Sequence, residues 1–320
     1  MRILITGCAG FIGFNLAKAL LEKKNVVLGI DNYDDYYSTK LKKKRITFLK
    51  NSKNFKFLKI DIADESLLKK NLKKKKFDII FHFAAQAGVR YSLINPQKYI
   101  KSNLSGFCNL IESMKHTKPK KFIYASSSSV YGESRKFPLS EKQSIKPKNI
   151  YGMTKKFNEE LAENYSKLYN INMIGLRFFT IFGEWGRPDM FVTKFLTSSF
   201  KKKPFYLNNH GNHVRDFTYI KDLIQILLKL QKIKLRKKHD IFNVCSGKPI
   251  NITRTIKYYS KKIYKPKIIM RPLQKADIIK THGDNSKLKK SVGNLSFTKF
   301  ENALDNTLAW YRKNKIEKIV

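Results

Sequence analysis

A doubly wound α/β fold, with a parallel sheet and a smaller C-terminal α/β lobe, is predicted from three observations. Short apolar runs recur at 3–6, 26–30, 55–60, 77–85 and 121–125. Between them apolar residues change to three- and four-residue steps, as at Leu16, Ala17, Leu20 and Leu21, the spacing of one helix face. Glycines cluster directly after the first run. Strands that alternate with helices pack as a parallel sheet covered on both faces, and such sheets take ligands at the C-terminal ends of their strands.

Size and charge narrow the reading. A chain of 320 residues buries enough core for one large domain or two joined lobes. The formal charge of +42 comes from 66 basic residues, of which only 11 are arginine, and the lysines are spread along the whole length. Runs such as Lys42-Lys43-Lys44, Lys73-Lys74-Lys75-Lys76 and Lys201-Lys202-Lys203 read as solvated surface. A nucleic-acid footprint would need basic residues gathered on one face, so no specific nucleic-acid partner is expected. The positive field would still draw in an anionic substrate. Cys8, Cys108 and Cys245 have no metal-type spacing and read as reduced thiols of a cytoplasmic protein. The first apolar run is too short for a signal segment, and no run reaches the length of a membrane span.

In chain order, the strand at 3–6 enters Gly7-Cys8-Ala9-Gly10-Phe11-Ile12-Gly13 and a helix follows. Glycines there permit a tight turn and let backbone amides and a helix N-terminus approach a pyrophosphate, as in a Rossmann-type nucleotide site. The second strand ends at Asp31, placed to accept bonds from the adenosine ribose hydroxyls and to repel a 2′-phosphate, which favours NAD over NADP. Asp61-Ile62, at the end of the third strand, suit an adenine contact. Small residues in Ala84-Ala85-Gln86, after the fourth, would let the backbone pass close to the cofactor. His82 reads as a structural histidine. A helix over 96–114 carries Asn103, and the strand at 121–125 runs into Ser126-Ser127-Ser128-Ser129.

Tyr151 and Lys155 stand four residues apart, and downstream Phe157, Leu161, Tyr165 and Leu168 continue a helical spacing. On a helix the two side chains share one face. A positive charge near a phenol favours its ionised form, so the pair can serve as a tuned acid/base for a substrate hydroxyl. In the C-terminal third, arginines at 187, 215 and 271 stand out against the lysine background. Their planar forks suit phosphate or carboxylate in a way that lysine does not.

The glycine turn, the segment Ser126-Ser127-Ser128-Ser129-Val130-Tyr131-Gly132 and the Tyr151/Lys155 pair together resemble an extended short-chain dehydrogenase/reductase of the NAD-dependent epimerase/dehydratase type. The resemblance runs over essentially the whole chain. Two stretches, Ala84-Ala85-Gln86-Ala87-Gly88-Val89-Arg90-Tyr91-Ser92 and the run from Arg177 to Met190, are similar to UDP-glucuronate 4-epimerases, as is Asp31-Asn32 followed by Asp34-Asp35-Tyr36-Tyr37. Sugar 4,6-dehydratases would carry an Asp-Glu pair where this chain has Ser128-Ser129, which argues against elimination of water.

The resemblance implies roles. Tyr151 would exchange the proton of the sugar 4-hydroxyl, helped by Ser127 and by Ser126 or Ser128, while Lys155 lowers the tyrosine pKa and holds the nicotinamide ribose. Gly7, Gly10, Phe11, Ile12, Gly13, Asp31, Asn32, Asp61, Ile62, Ala84, Ala85, Gln86 and Asn103 would contact NAD. Thr180 and Arg187 would face the C6 carboxylate of a UDP-sugar with Arg90 as a helper. Arg215 and Arg271 would grip the diphosphate, and Phe205-Tyr206-Leu207 would line the uracil. Lys275-Ala276-Asp277 departs from the Pro-Gly-Asp common among relatives, so Asp277 is carried over with an altered loop. Residues 1–176 become the NAD-binding lobe and 177–320 mainly the UDP-sugar lobe, with chain crossings between them. The family also implies a homodimer built on the helices near 96–114 and 151–169, and a product feeding polysaccharide biosynthesis. A 4-epimerase for a neutral or N-acetylated UDP-sugar and a UDP-glucuronate decarboxylase stay open as alternatives. A nucleic-acid-binding protein on the same fold is the alternative of another class.

Overall fold

The computed structural model describes residues 1–73 and 75–320, so Lys74 of the second lysine run lies outside the described residues. Among the described residues, six strands arise before residue 179: β1 (Arg2–Thr6), β2 (Val26–Asp31), β3 (Phe55–Lys59), β4 (Ile79–His82), β5 (Lys121–Ser127) and β6 (Met173–Phe178). The rest are β7 (Thr180–Phe182), β8 (Phe205–Asn208), β9 (Val214–Tyr219), β10 (His239–Val244), β11 (Pro249–Asn251) and β12 (Ile268–Arg271). Seven of them form one sheet in the order β10-β6-β5-β4-β1-β2-β3, with every neighbour parallel.

Successive side chains of a strand point to opposite faces, and both faces of this sheet are covered. Ile3, Ile5, Phe81 and Ile123 pack on one side with Phe14 and Leu20 of the helix Phe11–Glu22 and Leu223 and Leu227 of the helix Ile220–Leu230. Leu4, Ile80, Phe122 and Tyr124 pack on the other with Leu68, Leu110, Ile111 and Ala162 from three further helices. Two-sided burial is why the strands appear in the sequence as unbroken apolar runs. Truncating one such side chain, Leu20→Ala for example, costs about 2–5 kcal/mol.

Strand order reverses between β1 and β4, where the crevice of a doubly wound sheet opens. Gly7 follows β1 at φ +73°, and a Cβ there would lie 2.6 Å from the Ala84 nitrogen. Only glycine lets the two strand ends come this close.

The C-terminal third adds small sheets above this crevice: β9 joins β7 in parallel and β11 antiparallel, and β8 pairs with β12. β10 returns to the edge of the main sheet beside β6, so the two lobes are interleaved. The helix predicted over 96–114 is broken into Pro96–Tyr99, a π-helical stretch Ile100–Ser105 and Gly106–Met114. The wider turn aims Asn103 inward, where its carboxamide binds the main chain of Gln86. Among the described residues no helix is long and apolar enough to cross a membrane.

Candidate active site

A cavity of about 400 Å³ opens at the C-terminal ends of the strands and extends under the C-terminal lobe. Its floor is the turn of Gly7, Gly10, Phe11, Ile12 and Gly13, and Asp31, Asn32, Asp61 and Ile62 line one end. Ala84, Ala85 and Gln86 form a wall. Asp31 is buried, and its carboxylate accepts from the Ala9 N–H at 3.0 Å and the Tyr33 N–H at 2.9 Å. Burial raises its pKa against those bonds and against the charges of Lys42 and Arg45.

These residues fit a dinucleotide on features of their own. The glycine turn leads into a helix whose N-terminus faces the cavity, and the acid that holds the turn also borders the cavity. Gln86 lines the same space, and its buried carboxamide nitrogen has no partner among the described residues. A buried amide donor in that position calls for a ligand acceptor.

Tyr151 opens the helix Ile150–Leu168, which Asn149 caps by accepting from the Gly152 N–H at 2.8 Å. Tyr151, Lys155, Ser126, Ser127 and Ser128 all border the cavity. Tyr151 keeps part of its surface open to it, yet burial pushes the phenol up. The Ser127 hydroxyl and the more distant Arg187 guanidinium pull it down. Lys155 is buried and donates to the Ala125 carbonyl at 2.9 Å. Burial brings its pKa down to about 8, against the charge of Glu159. Arg187 thus supplies a charge that favours the phenolate.

Ser126 borders the cavity with its hydroxyl already engaged. Its hydroxyl donates to Glu159, which makes a bidentate pair with Arg177 at 2.9 and 2.7 Å. Ser127 is the serine whose hydroxyl bonds to the phenol. Asn103 does not line the cavity; it holds the Gln86 N–H at 2.8 Å and carbonyl at 3.1 Å, and donates to Thr154 at 3.0 Å. Its part is to shape the wall. His82 is structural, as expected: its Nδ1 bonds to the Thr6 hydroxyl at 2.7 Å, and burial pulls its pKa to about 3.

At the far end, Thr180, Arg187, Arg215 and Asp277 line the cavity. Arg187 is paired with Asp189, its Nε donating at 3.0 Å, and the Tyr36 hydroxyl donates to the same carboxylate at 3.3 Å. Burial pushes Asp189 up, but the guanidinium outweighs it and holds the carboxyl below its usual range. Arg90 stays outside the lining and grips Asp277 through bonds of 2.9 and 2.8 Å. Arg271 is also outside it, stacked 3.8 Å over the ring of Tyr206. The departing loop nevertheless delivers Asp277 to the cavity.

Lys42, Tyr36, Tyr37 and Ser102 line the cavity too; the two tyrosines entered the sequence reading only through the family resemblance, and Lys42 and Ser102 were given no site role. Lys42 is the instructive one, because it belongs to a run read as solvated surface. It is 6% exposed, beside Asp31. With Arg45, Ile46 and Leu49 it forms the buried stripe of the helix Thr39–Lys50, and that spacing was the available signal.

Residues 3–245 match the model of the NAD dependent epimerase/dehydratase family. Over 98% of the chain, the sequence is 34% identical to 98% of a probable UDP-glucuronate 4-epimerase of Rhizobium meliloti. It is 37% identical to UDP-glucuronate 4-epimerase 2 of Arabidopsis thaliana, over 97% of the chain and 76% of that protein. The fold superposes on the UDP-glucuronic acid 4-epimerase of Bacillus cereus in complex with UDP-glucuronic acid and NAD. The TM-score is 0.90 and the identity 31%, covering 98% of the chain and 100% of that structure.

Proposed function

The chain belongs to the NAD dependent epimerase/dehydratase family, and we propose that it interconverts UDP-glucuronate and UDP-galacturonate by inversion at C4. The observation that carries this is one cavity bordered by Tyr151 and Ser127 and, beyond them, by Thr180 and Arg187. When bound, NAD supplies reversible hydride acceptance at the sugar C4. Gly7, Gly10 and Gly13 would admit its pyrophosphate, Asp31 its adenosine ribose, and Lys155 its second ribose. Tyr151 takes the proton of the 4-hydroxyl as the carbonyl forms and returns it to the opposite configuration. Ser127 shares that proton and keeps the phenol oriented. Arg215 fixes the diphosphate, so the 4-keto sugar turns about an anchored end. Arg187 and Thr180 receive the C6 carboxylate, which a neutral hexose lacks. Keeping that carboxylate bound also disfavours its loss as carbon dioxide.

Residues 1–176 serve mainly the cofactor and 177–320 mainly the nucleotide sugar, with β10 crossing back. Met153 and Phe157, on one face of the tyrosine's helix, are exposed together with the nearby Ile100. Such an apolar patch supports a homodimer formed across these helices. A cytoplasmic site of action agrees with the unpaired cysteines, and a uronate product suits polysaccharide biosynthesis. NMR of UDP-glucuronate incubated with the purified protein tests the assignment. UDP-galacturonate is the expected product; a UDP-pentose, or no turnover of the uronate, overturns it.

A further inference from the structure

We propose that Arg45 is a positioning residue that ties the glycine turn to the loop carrying Arg187, so that cofactor retention and uronate capture are thermodynamically coupled. The inference rests on reading the cavity as shared by NAD and a UDP-uronate. Arg45 is fully buried in the helix Thr39–Lys50. A buried guanidinium is costly unless its donors are used, and removing its partners leaves a strongly destabilised charge.

Its two Nη groups reach two distant parts of the chain, while the buried Nε has no partner among the described residues. Nη1 donates to the Ala9 carbonyl at 2.7 Å and the Tyr37 hydroxyl at 2.9 Å, and Nη2 donates to the Trp185 carbonyl at 2.5 Å. Ala9 lies within the glycine turn, and its own N–H is held by Asp31. Trp185 lies two residues before Arg187. Two of the three acceptors are main-chain carbonyls, so what Arg45 fixes is the path of each loop. The second loop is independently constrained: Trp185 adopts φ +62°, a conformation that a bulky residue keeps only when its surroundings impose it. Its ring is flanked by Phe14 at 4.7 Å and Trp310 at 5.2 Å. Asn15, from the helix that follows the glycine turn, reaches the Glu184 carbonyl at 3.4 Å.

A ligand that orders the glycine turn therefore also orders the Arg187 loop, and by linkage the reverse holds. Lysine carries the same charge but lacks the planar fork that reaches both carbonyls.

The test measures the dissociation constant of NAD, with and without a non-reacting UDP-4-deoxy-4-fluoro-glucuronate. In the wild type the analogue should tighten NAD binding by about 5–150-fold, the range of ordinary coupling energies. In Arg45→Met, and in Arg45→Lys should the first variant not fold, the ratio should fall towards one. A wild-type ratio in the folded variant, or a ratio of one in the wild type, overturns the coupling. Failure of the underlying reading would look different: no tightly held NAD and no turnover in the wild type.

Discussion

Lys155 follows Tyr151 by one helical turn, yet its ammonium donates to the Ala125 carbonyl, 2.9 Å away, while the Ser127 hydroxyl acts on the phenol. The lysine fixes the end of β5, and that strand end leads into the serine loop. Tyrosine and lysine thus have separable tasks. Tyr151→Phe should lower kcat by about 10²–10⁴-fold, the range for loss of a positioned acid/base. NAD released on denaturing the purified variant should stay at the wild-type stoichiometry. Loss of NAD together with activity would show that the hydroxyl is needed for the cofactor and not only for proton transfer.

Lys155 makes a stability prediction with a definite sign. Its folded pKa, about 8, lies below the ordinary 10.5, so between those values the unfolded chain binds more protons. Stability from this group therefore rises with pH across that window, and below it the buried charge opposes folding. Lys155→Met should melt higher than the wild type near pH 7, with the difference shrinking towards pH 10, while turnover is lost. Equal melting temperatures throughout would show that the ammonium is not penalised by burial.

Arg187 meets Asp189 in this structure, so a substrate carboxylate must share or replace that partner. Arg187→Lys keeps the charge but loses the fork. A hydrogen bond to a charged group is worth about 1.5–3 kcal/mol, so KM for UDP-glucuronate should rise about 10–150-fold. KM for UDP-glucose, if it is turned over, should change much less. Equal effects on both sugars would remove Arg187 as the reader of the carboxylate.

The exposed side chains of Met153 and Phe157 stand one turn apart on the tyrosine's helix. Met153→Glu should convert a dimer into a monomer by sedimentation velocity. A monomeric wild type, or a variant that stays dimeric, would place any assembly elsewhere.

Much of the fold was legible because two-sided burial leaves unbroken apolar runs, and because Gly7, Tyr151 and Lys155, which border the cavity, belong to motifs of fixed local spacing. What stayed hidden depends on distance or on background. Arg90 and Asp277 are partners across 187 positions, so their pairing leaves no local pattern. The return of β10 to the main sheet is a matter of topology, and the π-helical turn at Asn103 is set by the wall it supports. Lys42 was masked by composition: among so many lysines, a buried one differs only in its register with Arg45 and Leu49. The bond from Ser126 to Glu159, 33 positions on, likewise leaves no local pattern.

The central claim is that inversion proceeds by removing and restoring the same hydrogen at C4, with Tyr151 handling only the hydroxyl proton. Incubating UDP-glucuronate deuterated at C4 with the protein in ordinary water, and reading the product by NMR, tests it most directly. The account predicts UDP-galacturonate that keeps its deuterium at C4. Product carrying solvent hydrogen there would contradict it.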